Sequence, residues 1–182
     1  GNFNMTNSNQ ILQELVELGQ HPKEFTDTVT VMEKIGHFLE DEVSKLYQEA
    51  KKEGYNKREA SPYIEEHLNL KKILKRSSKN WDGGYAMAGL LGHGDAFVLR
   101  DPNGIRPAYW YEDDEILVVT SERPVIQTAF NVKWEEINEL TPGHALVIKK
   151  NKKAKEEQII QQEKPTKSSF ERIYFSRRTD KD

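Results

Sequence analysis

The segment from Trp81 to Pro107 constrains the fold of this chain more than any other part of its sequence. It reads WDGGYAMAGLLGHGDAFVLRDPNGIRP, with two short apolar runs on either side of the turn residues His93-Gly94-Asp95. It ends in an Arg-Asp-Pro-Asn-Gly-Ile-Arg-Pro turn, and proline, asparagine and glycine are residues that favour turns. The pattern predicts the central hairpin of a larger sheet.

The apolar period changes along the chain, which predicts an α+β fold with helices first and sheet afterwards. Helical spacing predicts one helix that begins at Asn7 or Ser8 and stops at Gly19, and a longer one that carries apolar residues from 31 to 50 and ends at Gly54. A third helix is predicted to start at Ser61-Pro62, because proline is favoured at the first helical position.

From Trp81 onward the spacing is typical of strands, and it predicts an antiparallel meander. Glu122-Arg123-Pro124 predicts one short helix, Val125–Phe130, within it. The basic run Lys149–Lys153 predicts an exposed hairpin tip with no part in chemistry. The predicted strands are 85–91, 96–99, 108–111, 116–120, 145–148 and 158–161.

Composition excludes several classes of function. The 182 residues suit one domain, and they include no cysteine, which excludes disulfides, thiolate metal sites, iron–sulfur ligation and thiol catalysis from within the chain. A net charge of -3 does not favour nucleic acid or a membrane surface. The five histidines show no metal-ligand spacing, so no metal site is predicted. Without a signal pattern or a long apolar run, we expect a cytoplasmic protein.

Three polar features allow an ordinary structural interpretation. Asp101 and Arg106 can form an ion pair that stabilises the turn between them. Asp27 stands just ahead of a predicted helix and can cap it. A basic stretch of the third helix is either a solvated face or a contact for phosphate or a partner. Its cations are Lys71, Lys72, Lys75, Arg76 and Lys79.

Several segments together resemble the amidophosphoribosyltransferases. Besides RDPNGIRP at 100–107, the segment Asn2–Asn7 is similar to the family's NGNLTN, Thr26–Thr28 to its Ser/Thr-Asp-Ser/Thr, and 169–177 to part of its CxFEYVYFAR. Ser121-Glu122 and the ELTPG run at 139–143 are also in place, and the order and approximate spacing agree. The resemblance is to the glutamine amidotransferase domain of the Bacteroidetes-type branch.

This resemblance implies a fold and an activity. The fold would be an incomplete, layered αββα sandwich of the N-terminal nucleophile type, with a mainly antiparallel sheet and the first two helices packed over it. Residues 1–166 would be a truncated amidotransferase domain, helical over 6–78 and sheet over 81–162. Residues 167–182 would start the connection to a missing phosphoribosyltransferase domain. The parent enzyme would transfer the amide nitrogen of glutamine to phosphoribosyl pyrophosphate, giving phosphoribosylamine in purine synthesis.

The resemblance also implies roles for individual residues. The side chain of Asn2 and the backbone N–H of Phe3 would stabilise negative charge on the glutamine amide oxygen, and Asp27 would receive the substrate's α-ammonium group, a role that can coexist with capping. Phe3 departs from the glycine common in the family, so its N–H serves only if its dihedrals suit a residue with a side chain. Ser168 stands where some members have an iron–sulfur cysteine. No cofactor is therefore implied in this chain, although the family's other domain uses magnesium.

Because the family nucleophile is a cysteine, we expect this polypeptide to be inactive alone. The implied partners are glutamine, the phosphoribosyltransferase domain and further copies of the chain, since an unpaired sheet edge favours association. The alternative is a binding or scaffolding domain that keeps the fold without the chemistry and senses a nucleotide through the basic helix around 71–79.

Overall fold

The computed structural model describes residues 1–161, which form two compact units. One unit comprises Met5–Asp82, and the other joins Gly1–Asn4 to the chain from Gly83 onward. The motif at 169–177, Ser168 and the predicted connection at 167–182 lie outside the described residues.

The unit from Met5 to Asp82 is helical. Its helices are α1 (Ser8–Glu17), α2 (Asp27–Lys52), α3 (Lys57–His67) and α4 (Leu70–Ser77). The stop predicted for the first helix is confirmed, because Gly19 has a φ of 82°, which a residue without a side chain adopts easily. None of the helices between Gly1 and Gln161 is long and apolar enough to cross a membrane.

The predicted helix start at Ser61-Pro62 is wrong. Helix α3 begins at Lys57, because Asn56 accepts the backbone N–H of Glu59 while the Glu59 carboxylate accepts the N–H of Asn56. This reciprocal capping satisfies the first turn and leaves Pro62 inside the helix. The helix ends before Asn69, whose side chain caps α4 by accepting the N–H of Lys72 at 3.0 Å.

The other unit contains a five-stranded sheet in the order β1-β2-β3-β7-β8. The predicted hairpin is confirmed: β2 and β3 pair antiparallel, with Leu90 opposite Ala96 and Ala86 opposite Arg100, in the middle of this sheet. Its strands are β1 (Asn2–Met5), β2 (Gly83–Leu90), β3 (Ala96–Arg100), β7 (His144–Ile148) and β8 (Lys155–Gln158).

The prediction of a single antiparallel meander is wrong, because the strands belong to two sheets. After β3 the chain forms a second, three-stranded sheet in the order β5-β4-β6, and only then returns to the first sheet with β7. The strands of this second sheet are β4 (Tyr109–Glu112), β5 (Leu117–Thr120) and β6 (Asn138–Glu139). Helix α5 (Arg123–Phe130), which the sequence predicted, follows β5. The last predicted strand, 158–161, is also misplaced, since β8 ends at Gln158.

A buried apolar cluster explains the return of the chain to the first sheet. Val98 of β3 and Leu146 of β7 pack with Ala108 and Leu140, and the Trp110 side chain of β4 lies against them. Burying these side chains together is favourable at about 25 cal/mol for each Å² removed from water. This long-range packing, which alternation along one strand does not encode, decides which strands pair.

Candidate active site

The strand that carries both predicted oxyanion donors, β1, runs antiparallel to its neighbour β2. Thr6 donates its backbone N–H to the carbonyl oxygen of Asp82 at 2.9 Å. At the other end of β1, a Cβ on Gly1 would lie 3.2 Å from the Cβ of Met87. From Gly1 to Thr6, the residues that flank β1, the facing residue number falls from 87 to 82. This fixes both the direction and the register of β1 on β2.

The backbone N–H of Phe3 points away from β2. In a strand, N–H groups two residues apart share an edge, whereas those an odd number apart face opposite edges. Thr6 donates toward the β2 side, and the neighbouring N–H of Met5 donates instead to Oδ2 of Asp27 at 3.5 Å. Phe3 lies two residues before Met5, and β1 is the end strand of the sheet within residues 1–161. The Phe3 N–H therefore faces an edge that no described strand covers.

The phenylalanine at position 3 is compatible with this donor role. Among the described non-glycine residues, positive φ angles occur only at Asn80, Asn131 and Asn151. Phe3 lies within the strand Asn2–Met5 without such an angle, so its backbone conformation is one that residues with side chains adopt freely. The backbone dihedrals of Phe3 therefore suit a residue with a side chain, as its N–H requires in order to serve as a donor.

The side chain of Asn2 lies on the opposite face of β1 from that of Phe3, because successive side chains alternate across a strand. Asn2 and Asn4 are both exposed, whereas Met5 is buried with 5% of its surface accessible. Asn2 thus presents a carboxamide, with two N–H donors, to solvent on a strand anchored by its last residue.

Asp27 is the first residue of α2 and is not its cap. Thr26 caps the helix, since its hydroxyl accepts the N–H of Val29 at 3.3 Å, so the capping interpretation of Asp27 is wrong. The Asp27 carboxylate accepts the N–H of Thr28 at 2.9 Å through Oδ1 and that of Met5 through Oδ2. A carboxylate has about four acceptor positions, so capacity for a cationic ligand remains beyond these bonds. Asn2 and Phe3 belong to one unit and Asp27 to the other.

Helix α4 uses part of its positive charge inside its own unit. Lys72 pairs with Glu42 at 2.6 Å, and Arg76 pairs with Asp41, both acids belonging to α2. Glu42 is 6% exposed, and a buried carboxylate needs such a partner. Two of the cations considered for a phosphate contact are therefore engaged in helix packing.

The RDPNGIRP turn is built around two buried ionisable side chains, those of Arg100 and Asp101. Asp101 has no accessible surface, and its carboxylate accepts the backbone N–H groups of Asn103, Ile105 and Arg106 at 3.1, 2.9 and 3.0 Å. It also accepts the N–H of Tyr85 at 3.4 Å. The carboxylate thus reaches Arg106 through the backbone, whereas the sequence suggested its side chain. The hydrogen bonds that Asp101 accepts in this turn all come from main-chain groups, and they give the turn a structural role.

The ELTPG run packs against this turn. Gly143 donates its N–H to the carbonyl oxygen of Asp101 at 3.0 Å, and Arg100 donates to Oε1 of Glu139 at 2.9 Å. Gly104 has a φ of 65°, and a Cβ there would lie 2.9 Å from Cγ of Pro142. Two of the segments that carried the family resemblance are therefore neighbours in space and stabilise one another.

The sequence places Asp95 in the β2–β3 turn but does not predict that this acid is buried and paired. Asp95 is 1% exposed, and its carboxylate pairs with Lys149 and with His93, 3.0 Å away, while it accepts the N–H of Lys150 at 2.9 Å. Burial raises the pKa of Asp95, but these hydrogen bonds outweigh burial and hold the pKa below its ordinary value. Lys149, predicted as part of an exposed tip, instead neutralises this carboxylate.

These features define the class of protein. The combination of helices with antiparallel sheets is that of the N-terminal nucleophile fold found in class-II glutamine amidotransferases. A family model described as class-II glutamine amidotransferases matches residues 22–173. The chain belongs to this family.

Individual relatives are amidophosphoribosyltransferases. Those of Lachancea kluyveri and Saccharomyces cerevisiae are both 36% identical to this chain, over 103 and 104 residues that cover 52% of it and 20% of each relative. The structure of a glutamine phosphoribosylpyrophosphate amidotransferase from B. subtilis, complexed with ADP and GMP, has a TM-score of 0.64 at 26% identity. It aligns with 97% of this chain, which spans 32% of that one.

A second solved structure is that of an enzyme described as the allosteric regulatory enzyme of purine biosynthesis. It has a TM-score of 0.61 at 26% identity, and the alignment covers 97% of this chain and 31% of that one. This chain is thus similar over nearly its whole length to about a third of each of these larger proteins.

Sequence reasoning named Asn2, Phe3 and Asp27 but missed the contacts that orient them. Neither the bond from Met5 to Asp27 nor the bond from Thr6 to Asp82 follows from local spacing. Alternation along β1 shows that Phe3 and Met5 share an edge. Only the register on β2 shows which edge that is.

Proposed function

We propose that this chain is part of the glutaminase domain of an amidophosphoribosyltransferase, which transfers the amide nitrogen of glutamine to phosphoribosyl pyrophosphate and forms phosphoribosylamine in purine synthesis. Membership of the class-II glutamine amidotransferases and the names of the relatives support this assignment. The chain spans only 20% of the curated relatives, so the acceptor substrate is part of the proposal.

The observation that carries the glutaminase assignment is the outward-facing N–H of Phe3. Attack on an amide places negative charge on the carbonyl oxygen, and fixed donors at that point stabilise the transition state by about 2.7–4 kcal/mol each. The Phe3 N–H lies at the uncovered edge of β1, and the neighbouring Asn2 supplies a side-chain amide. Both donors sit on a strand whose register is fixed, which favours preorganisation.

Asp27 is proposed to bind the α-ammonium group of glutamine. Its carboxylate lies at the start of α2 and is held by the N–H groups of Thr28 and Met5. Hydrogen bonds from neutral donors fix its orientation and leave its negative charge uncompensated, so an ammonium ligand would supply the missing charge.

The nucleophile of the proposed reaction lies outside these residues. In the family that the chain resembles it is a cysteine thiol, and none of the 182 residues is a cysteine. The role proposed for this chain is therefore to stabilise the oxyanion and to bind glutamine.

The test is glutamine hydrolysis by the complete gene product, followed as glutamate release with and without phosphoribosyl pyrophosphate. Asn2→Ala should lower kcat by about 100-fold, as expected for an oxyanion donor. Asn9→Ala replaces another exposed asparagine, in α1, and should leave the rate unchanged. Equal rates for the two variants would exclude the proposed role of Asn2. A gene product that releases no glutamate would favour the non-catalytic scaffold.

A further inference from the structure

We infer that the side chain of Phe3 is a positioning residue for the oxyanion donor, an inference that rests on the proposed glutaminase function. Its ring fixes the peptide between Asn2 and Phe3, whose N–H faces the uncovered edge of β1. The ring would act through this peptide and not by touching the substrate.

The Phe3 ring fills the space that a side chain on Gly1 would need. A Cβ built on Gly1 would lie 2.7 Å from Cε1 and 2.9 Å from Cδ1 of Phe3, distances that real Cβ atoms essentially never show. Gly1 directly precedes β1 and lies two residues before Phe3, so a Cβ there would project toward the same face as the Phe3 ring. The ring therefore rests directly on the Gly1 backbone, beside Met87.

This contact matters because β1 has few other restraints. The strand has four residues and is the end strand of its sheet in the described part of the chain. Ladder hydrogen bonds to β2 can form on one edge only, and they involve N–H groups other than that of Phe3. The ring adds a restraint on one face of the strand, spanning the residues before and after Asn2.

A side chain at this position also restricts the backbone itself. Glycine, the residue common here in the family that the chain resembles, reaches far more backbone conformations than phenylalanine does. Phe3 narrows the directions open to its own N–H before glutamine binds. Preorganised donors need no reorientation as charge develops, which is the condition for strong stabilisation of an oxyanion.

The contact predicts a coupling between Gly1 and Phe3. Gly1→Ala should displace the ring and so disturb the donor peptide, although residue 1 carries no chemistry. Phe3→Ala removes two of the three atoms nearest to the new methyl group. The third is the Cβ of Met87 at 3.2 Å, a contact that a shift of a few tenths of an ångström relieves. The second substitution should then have little further effect.

The experiment measures kcat and KM for glutamine hydrolysis by the complete gene product. Phe3→Ala should lower kcat about tenfold while KM changes less than about twofold, because the donor acts on charge that appears only in the transition state. Phe3→Tyr keeps the ring and should therefore lose much less kcat than Phe3→Ala. Gly1→Ala as a single substitution should lower kcat to a similar extent. When it is added to Phe3→Ala, it should lower kcat no further. The exposed Asn9→Ala is the control.

Three results would overturn the inference. They are an unchanged kcat in Phe3→Ala, a parallel rise in KM, and an additive effect of the two substitutions. If Phe3→Ala fails to fold, Phe3→Leu takes its place and is measured alone and combined with Gly1→Ala. Failure of the proposed function looks different: Asn2→Ala would then leave glutamate release unchanged. A loss of activity in Asn2→Ala with none in Phe3→Ala would reject only the role of the ring.

Discussion

Arg100 donates from its Nε to the carbonyl oxygen of Arg106 at 2.7 Å, so the two arginines that bracket the RDPNGIRP turn meet through the side chain of one and the backbone of the other. Arg100 also donates to the carbonyl oxygens of Gly104 and Leu140. Adjacent Asp101 accepts N–H groups from the same turn. Neighbouring residues of opposite charge thus satisfy the carbonyl and the amide groups of one loop, which makes a buried polar network stable.

Replacing Asp101 should destabilise the protein. In the wild type, the backbone N–H groups of the turn share the two carboxylate oxygens of Asp101. Asp101→Asn keeps the shape of the side chain but leaves these groups only one acceptor oxygen, and it buries an NH2 group against them. We expect a loss of about 2–3 kcal/mol in the free energy of unfolding, measured by urea denaturation. Asp114→Asn, at an exposed position, should change it by less than about 0.5 kcal/mol. Equal midpoints for the two variants would contradict the role of Asp101.

Gly104 should not tolerate a side chain. Its φ of 65° is unfavourable for other residues, and an added Cβ would lie 2.9 Å from Cγ of Pro142. Gly104→Ala should therefore lower the free energy of unfolding by at least about 1–2 kcal/mol. Gly92→Ala is the matched control, because nothing lies within 4 Å of a Cβ there. A thermal midpoint of Gly104→Ala no lower than that of Gly92→Ala would refute this account.

Asp95 should make the stability of the protein depend on acid pH. Its pKa lies below the ordinary 3.8 because the bonds from Lys149, Lys150 and His93 outweigh burial. A carboxylate with a lowered folded-state pKa stabilises the fold above its unfolded pKa, and this contribution is lost as the pH falls through the folded value. The stability difference between the wild type and Asp95→Asn should therefore shrink below about pH 4. Urea unfolding at pH 7, 5, 4 and 3 would detect this decrease. A stability difference that grows toward pH 3 would contradict the prediction.

Mutations should distinguish the capping role of Thr26 from the ligand-binding role proposed for Asp27 at the start of α2. Thr26→Ala removes the hydroxyl that accepts the N–H of Val29 and should cost about 1 kcal/mol of stability without changing KM for glutamine. Asp27→Asn should raise KM at least tenfold, because it removes the charge proposed to bind the ammonium group. Its effect on stability should be the smaller of the two. A raised KM in Thr26→Ala with none in Asp27→Asn would reverse the assignment.

The 182-residue polypeptide on its own should release no glutamate from glutamine. It contains no cysteine, and an amide is not attacked at a useful rate without an activated nucleophile. Glutamate release above that of a boiled sample, retained after repeated purification, would show that another residue supplies the nucleophile.

Local patterns in the sequence predicted local structure well. The β2–β3 hairpin follows from two apolar runs around His93-Gly94-Asp95, and α5 follows from the proline after Arg123. The sequence also contains the capping box of α3, since Asn56 is followed three residues later by Glu59. In the structure this signal outweighs the proline signal at Ser61-Pro62. Competing local signals can be ranked only when the whole first turn is considered.

Contacts between distant segments could not be predicted in this way. The second sheet forms because β4 pairs with β6, with Tyr109 opposite Glu139, and no spacing rule links those positions. The neutralisation of Asp95 by Lys149 likewise depends on β3 lying beside β7. At the candidate site the sequence supplied the residue types, whereas the edge to which the Phe3 N–H points required the pairing of β1 with β2.

Because Thr6 bonds to Asp82, the number of residues between Phe3 and Thr6 determines the direction of the Phe3 N–H. Three residue steps separate Phe3 from Thr6, and an odd number of steps is what turns the two N–H groups to opposite edges. Loss of Asn4 alone would make that number even and direct the Phe3 N–H into the sheet, with every chemical group of the site still present. The direction of the Phe3 N–H therefore depends on the number of residues between Phe3 and Thr6, and we expect single insertions or deletions here to be far less tolerated than substitutions.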